Sequence, residues 1–238
     1  VSTAGRLKPR RLTAEQRHRA GVHSFLITVA FALFWVPVII FAKLAGEVVE
    51  NEPIRADVVI INAVHSIHTP AWDSFFLLIT SFGQSVVVAA VGLALLAGLI
   101  YKRRFRGAAL LIGGVGGAVL ANLALKAVFA RARPSLFNPL VSETSYSFPS
   151  GHAMVSSAFV GVIILLLWNT RYRVPAIVLG FLATFLIGVS RVYLGVHYPS
   201  DVLAGWCVGL VWAALVGSLV INRPFGLGRR LAPLTHRD

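Results

Sequence analysis

Apolar residues in this chain gather into six long runs, approximately 24–45, 84–101, 107–129, 151–168, 174–193 and 201–221, separated by polar or charged stretches. A bilayer core about 30 Å thick takes roughly 20 helical residues at 1.5 Å each, so every run is a candidate transmembrane helix. The interval after the first run has a different character. Residues 46–83 carry Glu47, Glu50, Glu52 and Asp57, then Trp72, Asp73 and a short apolar stretch from Phe75 to Phe82. That stretch is too short to cross, which predicts an interfacial or re-entrant helix. The expected fold is all-α: a six-transmembrane helical bundle with one additional interfacial or re-entrant helical segment.

Composition agrees with a membrane solvent. Hydrophobic residues make up 57% of the 238 and charged residues only 13%, against about 25% charged in an ordinary soluble domain. A net charge of +13 would suit nucleic acid, but the positions argue otherwise. Sixteen of the 22 Lys and Arg fall in four segments: Arg6 to Arg19, Lys102 to Arg106, Arg171 with Arg173, and Arg223 to Arg237. These alternate with the apolar runs as cytoplasmic loops do under the positive-inside bias. Six spans then put both termini in the cytoplasm of a cell inner (plasma) membrane protein, with no nucleic-acid partner. The expected organisation is a basic cytoplasmic arm over 1–23, a membrane domain over 24–221 and a basic cytoplasmic tail over 222–238. The first run, long and preceded by the arm, reads as a retained span and not as a cleaved signal peptide. Cys207 stands alone, and His65 with His68 lacks a third ligand, so neither a disulfide framework nor a metal site is expected.

Ionisable groups are costly at membrane depth, so those kept near span ends point to chemistry. Lys126 and Arg133, followed by Pro134, close the third run. Seven residues make nearly two helical turns, which would set both cations on one face about 10 Å apart before Pro134 ends the helix. With Arg131 they could also simply snorkel to the interface. Ser147-Phe148-Pro149-Ser150-Gly151-His152 precedes the fourth run. Ser150 suits an N-cap, Gly151 allows close backbone approach, and a helix N-terminus attracts anions. Ser190-Arg191 ends the fifth run, and His197 and Asp201 open the sixth, with Gly195 and Pro199 marking a turn between. Asp201, four residues after His197, is close enough to hold one imidazole nitrogen and leave the other as nucleophile or base. The basic loops fix the topology independently, and by that topology all three clusters open on the non-cytoplasmic side. Cations and N–H donors for non-bridging oxygens, one attacking imidazole and one proton-donating imidazole suit phosphoryl transfer without a metal.

Lys126-x6-Arg133-Pro134, Pro149-Ser150-Gly151-His152 and Ser190-Arg191-x5-His197-x3-Asp201 resemble the three signature motifs of the type 2 phosphatidic acid phosphatase family, which also includes vanadium haloperoxidases and glucose-6-phosphatase. Every signature position matches in order, and the resemblance extends over residues 24–221. It implies catalytic roles for His152, His197 and Asp201. His197 would form a phosphohistidine, Asp201 would orient it, and His152 would protonate the leaving group and then activate water. It implies phosphate binding by Lys126, Arg133, Ser150, Gly151 and Arg191, and no cofactor.

A site at a membrane surface favours a lipid phosphate whose tail stays among membrane lipids. The bacterial branch that the chain resembles acts on phosphatidylglycerol phosphate, phosphatidate or undecaprenyl diphosphate. Head-group contacts would come from 131–149 and 46–83, with Asn138, Ser142, Glu143 and Tyr146 as polar candidates, and a diphosphate would need a further cation, for which Arg131 is the spare. Two rivals are a lipid phosphotransferase on the same fold and an anion or lipid-phosphate transporter. Transporters place their binding groups near the midplane, whereas these lie at one surface.

Overall fold

The computed structural model describes residues 14–52 and 54–221, and among them there is no β-strand. The helices are α1 (Ala14–Val49), α2 (Arg55–His65), α3 (Pro70–Ser81), α4 (Ser85–Tyr101), α5 (Phe105–Leu111), α6 (Gly117–Phe129), α7 (Gly151–Leu167), α8 (Arg173–Tyr193) and α9 (Pro199–Ile221). A π-helical turn, Ile112–Gly116, joins α5 to α6. The tail over 222–238 and most of the arm over 1–23 lie outside the described residues.

Among the described residues three helical stretches are long and apolar enough to cross a bilayer: Phe105–Phe129, Arg173–Tyr193 and Pro199–Val220. A fourth is added if α3 and α4, bent by 40° at the break between them, count as one span. The 46–83 segment, expected to add one interfacial or re-entrant helix, is more elaborate, and the bend between α3 and α4 has the form of a broken span or a re-entrant loop. The segment forms two helices, and the second runs into α4 with only Phe82, Gly83 and Gln84 between them. Thr69 starts α3 by accepting a hydrogen bond from Trp72 N–H at 3.3 Å, with Pro70 in the first turn. α7 is apolar but has 17 residues, a length of about 25 Å.

The chain divides at Val36 and Pro37 into two compact units. In the first, Phe31 and Phe34 both pack their rings on Trp35, with centroids 5.8 and 5.6 Å away.

In the second unit, α7 and α9 set the frame of the site. Gly205, Gly209, Ala213 and Gly217 recur every four residues along α9 and make a stripe of small side chains. A Cβ on Gly209 would overlap Ser157 Oγ and the Met154 carbonyl, and one on Gly205 would lie 2.7 Å from the Ser150 carbonyl. The two helices therefore meet backbone to backbone, with Ala153, Met154 and Ala158 wholly buried. At the site end the contact closes with Ser150 N–H donating to the Asp201 carbonyl at 3.0 Å.

The glycines 113, 114, 116 and 117 lie in and beside the π turn. Gly114 gives room to Val162 of α7, and Gly117 to the Trp212 ring of α9. A π turn leaves carbonyls poorly satisfied within the helix, and Trp212 Nε1–H reaches that of Gly113 at 3.0 Å. α6 is thereby held against the α7–α9 pair, and its C-terminal end, with Lys126, is brought to the start of α7.

Candidate active site

α6 stops earlier than the spacing of Lys126, Arg133 and Pro134 predicts. Ala130 takes the left-handed conformation, φ 44°, and residues 130–133 leave the helix. This is a strained state for a residue with a Cβ, and no glycine announces it. Lys126 and Arg133 nevertheless converge, through Ser145 and not through a shared helix face. Lys126 Nζ donates to Ser145 Oγ at 2.9 Å and to the Tyr146 carbonyl at 2.5 Å. Arg133 donates from Nε to the Ser145 carbonyl at 2.7 Å and from Nη2 to Ser145 Oγ at 3.1 Å.

The turn expected between Arg191 and His197 is present. α8 ends at Tyr193, Gly195 has φ +73°, and the N–H groups of Val196 and His197 both return to the Arg191 carbonyl, at 3.2 and 3.3 Å. His197 is folded under Arg191 and is 1% exposed. Arg133 Nη1 lies 3.3 Å from His197 Nε2. A guanidinium cannot accept a hydrogen bond, so Nε2 presents its lone pair and the ring proton belongs on Nδ1. Nδ1 faces Ser147 Oγ at 3.3 Å and Asp201 Oδ2 at 3.4 Å, while Ser147 Oγ donates to Asp201 Oδ2 in a short contact. Asp201 Oδ2 also accepts from Tyr198 N–H at 2.8 Å. Burial pushes the His197 imidazole down to about 4, against the raising influence of its hydrogen bond to Asp201.

Ser150 occupies the N-cap position of α7, but its hydroxyl makes no capping bond. A Cβ at Gly151 would stand 2.9 Å from Asn122 Oδ1, so glycine is required for α6 to come this close. Asn122 Nδ2 in turn donates to the Pro149 carbonyl at 3.2 Å. His152, in the first turn of α7, packs its ring against Gly83, where a Cβ would lie 2.8 Å from His152 Cδ2. Arg191 donates from Nη1 to Thr80 Oγ1 at 2.8 Å and from Nη2 to Glu143 in a short ion pair.

Buried polar atoms are ordinarily paired, yet Ser150 Oγ, His152 Nε2 and Arg191 Nε have no hydrogen-bond partner in the protein. A cavity of about 590 Å³ opens beside them. Its polar end is lined by Lys126, Arg133, Glu143, Ser145, His152 and His197. Gly151 also lines it, whereas Ser150 and Arg191 do not; Arg191 is bonded to Glu143, which does. The rest of its wall is mostly apolar, interrupted by Ser85 and Asn122, and runs along α4, the π turn and α6, with Leu93, Leu96, Val115, Val119 and Leu123 among its residues.

The sequence-predicted residues therefore gather in one place, with Ser145 and Thr80, which the sequence did not single out, and Ser147, which it placed in the second cluster without a role. Ser145 joins the two cations, Ser147 stands between His197 and Asp201, and Thr80 holds Arg191. Arg131, expected as a spare cation, is committed elsewhere: it pairs with Asp57 at 3.0 Å and with Asp201 at 2.5 Å. His65 and His68 serve packing. His65 stacks on Phe137 at 3.6 Å, and His68 on Tyr193 at 4.1 Å while pairing with Asp73 at 3.4 Å.

Residues 107–224 match the model of the PAP2 superfamily, a stretch that holds all three motifs. Phosphatidylglycerophosphatase B of Bacillus subtilis is 33% identical over 181 residues, 74% of this chain and 89% of that protein. The chain belongs to the PAP2 superfamily. The crystal structure of a transmembrane PAP2-type phosphatidylglycerolphosphate phosphatase from Bacillus subtilis superposes with a TM-score of 0.69 at 31% identity, covering 82% of this chain and 98% of that one. The undecaprenyl-diphosphatase of Sulfolobus acidocaldarius is 42% identical over 117 residues, 47% of this chain and 54% of its own. With its apolar helices, the chain is a multi-pass membrane phosphatase of the PAP2 type.

Proposed function

We propose that this PAP2 phosphatase hydrolyses a lipid phosphate monoester through a phosphohistidine. The observation that carries the reading is the group of unpartnered buried polar atoms, Ser150 Oγ, His152 Nε2 and Arg191 Nε, together with a cavity whose polar end holds both histidines and whose remaining wall is mostly apolar. Lys126, Arg133, Ser150, Arg191 and the Gly151 backbone N–H at the α7 N-terminus bind the non-bridging oxygens. The His197 Nε2 lone pair attacks phosphorus as the bond to the leaving alkoxide breaks, and His152 gives its proton to that oxygen. His152 then takes a proton from the incoming water, whose oxygen attacks the phosphohistidine. Inorganic phosphate leaves and His197 is restored. Asp201 and Ser147 keep the Nδ1 proton in place as charge develops on the ring.

Charge favours a monoester over a diphosphate. Among the described residues the cations lining the cavity are Lys126 and Arg133, Arg191 is paired with Glu143, and Arg131 is already bound to two carboxylates. Phosphatidylglycerol phosphate and phosphatidate are the substrates that fit, and the name of the Bacillus subtilis relative agrees with the first. The topology proposed is six spans in the inner (plasma) membrane, with the 1–23 arm and the 222–238 tail cytoplasmic and the site of the 24–221 domain on the outer face.

Phosphate release from a panel of lipid phosphates in detergent, with His197→Ala as control, tests the reading. Monoesters should be turned over faster than undecaprenyl diphosphate, and the variant should be inactive. A preference for the diphosphate overturns the substrate class, phosphate release by His197→Ala overturns the covalent route, and a phosphorylated lipid product would indicate transfer.

A further inference from the structure

Asp57 belongs to α2, outside the three motifs and outside the stretch matched by the family model, yet it is only 2% exposed. A carboxylate so buried needs partners, and Asp57 has three. Its Oδ1 accepts from Ser200 N–H at 2.8 Å, and its Oδ2 accepts from Ser200 Oγ at 2.5 Å and from Arg131 Nη2 at 3.0 Å. Arg131 turns its other amino group to Asp201 Oδ1 at 2.5 Å and to Ser200 Oγ at 2.8 Å, while its guanidinium lies over the Tyr198 ring at 4.1 Å. One arginine thus bridges a carboxylate of the motif to a carboxylate of α2.

The two oxygens of Asp201 have separate partners. Oδ2 serves His197, Ser147 and the Tyr198 backbone, and Oδ1 serves Arg131. A guanidinium with no counter-ion of its own would compete with the His197 ring for the charge of Asp201, most strongly once that ring becomes positive. Asp57 balances Arg131, so that one net negative charge remains for the imidazole. The planar fork of Arg131, with one amino group on each carboxylate, also ties the place of Asp201 to that of Asp57, which a point charge would not do.

We propose that Asp57 is a positioning residue for the reaction: it holds and neutralises Arg131, and through Arg131 it keeps Asp201 aligned on His197. The inference rests on His197 being the nucleophile. Neither Asp57 nor Arg131 lines the cavity, so their loss acts on the chemical step and leaves substrate binding intact.

The test is steady-state phosphate release by the full chain in detergent micelles, using a lipid phosphate monoester and rates normalised to folded protein by size-exclusion chromatography. Asp57→Asn should lower kcat at least tenfold with KM within twofold of the parent. Arg131→Met should do likewise, and the double variant should fall no further than Arg131→Met alone. Asp57→Glu should recover part of the loss. A kcat within twofold of the parent for folded Asp57→Asn, or losses from the two single variants that multiply in the double, would overturn the proposal. Should Asp57→Asn fail to fold, Arg131→Lys serves in its place: it keeps the charge and loses the fork, so a lowered kcat at constant KM supports the proposal and an unchanged kcat overturns it. Turnover by His197→Ala would remove the underlying reading, whereas an inactive His197→Ala beside a fully active Asp57→Asn removes this inference alone.

Discussion

The carboxylate of Glu143 lies directly against the guanidinium of Arg191, and its second oxygen is 3.8 Å from Arg133. Two oxygens of a side chain thus occupy the approach to cations assigned to phosphate. An anionic ligand must displace or share them. Glu143→Gln removes the competing charge, and the inhibition constant of vanadate, a phosphate mimic, should fall about tenfold, equivalent to about 1.4 kcal/mol. Weaker vanadate inhibition in the variant would mean that Glu143 helps to build the anion seat.

The His197 imidazole is held down to about 4 by burial, with Asp201 pulling in the opposite direction. The proposed nucleophile is then neutral throughout the ordinary histidine range. The imidazole resonances of His197, followed by NMR, should titrate near pH 4, and a midpoint near 6.5 would contradict the buried ring. Stability follows from the same linkage. Between pH 6.5 and 4 the unfolded chain protonates this histidine and the folded chain does not, so stability should decline as pH falls through that window. Thermal unfolding at stepped pH measures it.

Ser147 Oγ stands between His197 Nδ1 and Asp201 Oδ2. Ser147→Ala deprives a fully buried carboxylate of a donor, at a cost of about 1–3 kcal/mol in stability. It also loosens the imidazole, and kcat should drop roughly tenfold, since a tenfold rate change corresponds to only about 1.4 kcal/mol. Chemical denaturation and single-turnover kinetics separate the two effects. Parent-like values in both would exclude a positioning role for the hydroxyl.

Gly209 and Gly46 offer a paired test of the helix contact. Nothing lies within 4 Å of a Cβ built on Gly46, whereas one on Gly209 would overlap Ser157 and the Met154 carbonyl. Gly46→Ala should leave stability unchanged or raise it by up to about 1 kcal/mol, as expected for alanine in a helix. Gly209→Ala should destabilise the protein and reduce turnover, because it forces apart the two helices that carry His152 and Asp201. Equal melting temperatures for the two variants would refute the close packing.

All three motif clusters were readable because their residue types and spacings carry chemistry, and the helices α7, α8 and α9 followed from runs of apolar residues. The recurrence of Gly205, Gly209, Ala213 and Gly217 every four residues was also open to reading as a contact face. Other features had no local signal. Ala130 breaks α6 without a glycine, so the route by which Arg133 reaches the site could not be inferred from helical spacing. Asp57 reaches Arg131 and Ser200 only through the tertiary fold, and one member of an acidic stretch looks the same in sequence whether exposed or buried. Ser145 and Thr80 are common side chains that gain meaning only from the cations they face. The junction of α3 with α4 was obscured because Gly83 resembles a loop residue, while its lack of a side chain accommodates the His152 ring.

The apolar wall of the cavity along α4, the π turn and α6 has an energetic consequence for selectivity. An acyl chain lying there exchanges one hydrocarbon medium for another, so the gain of about 0.8 kcal/mol per methylene that drives transfer out of water does not apply. Discrimination among long-chain substrates then falls to the few ångströms around the ester oxygen, and the enzyme should be tolerant of tail length while strict about what is attached to the phosphorus.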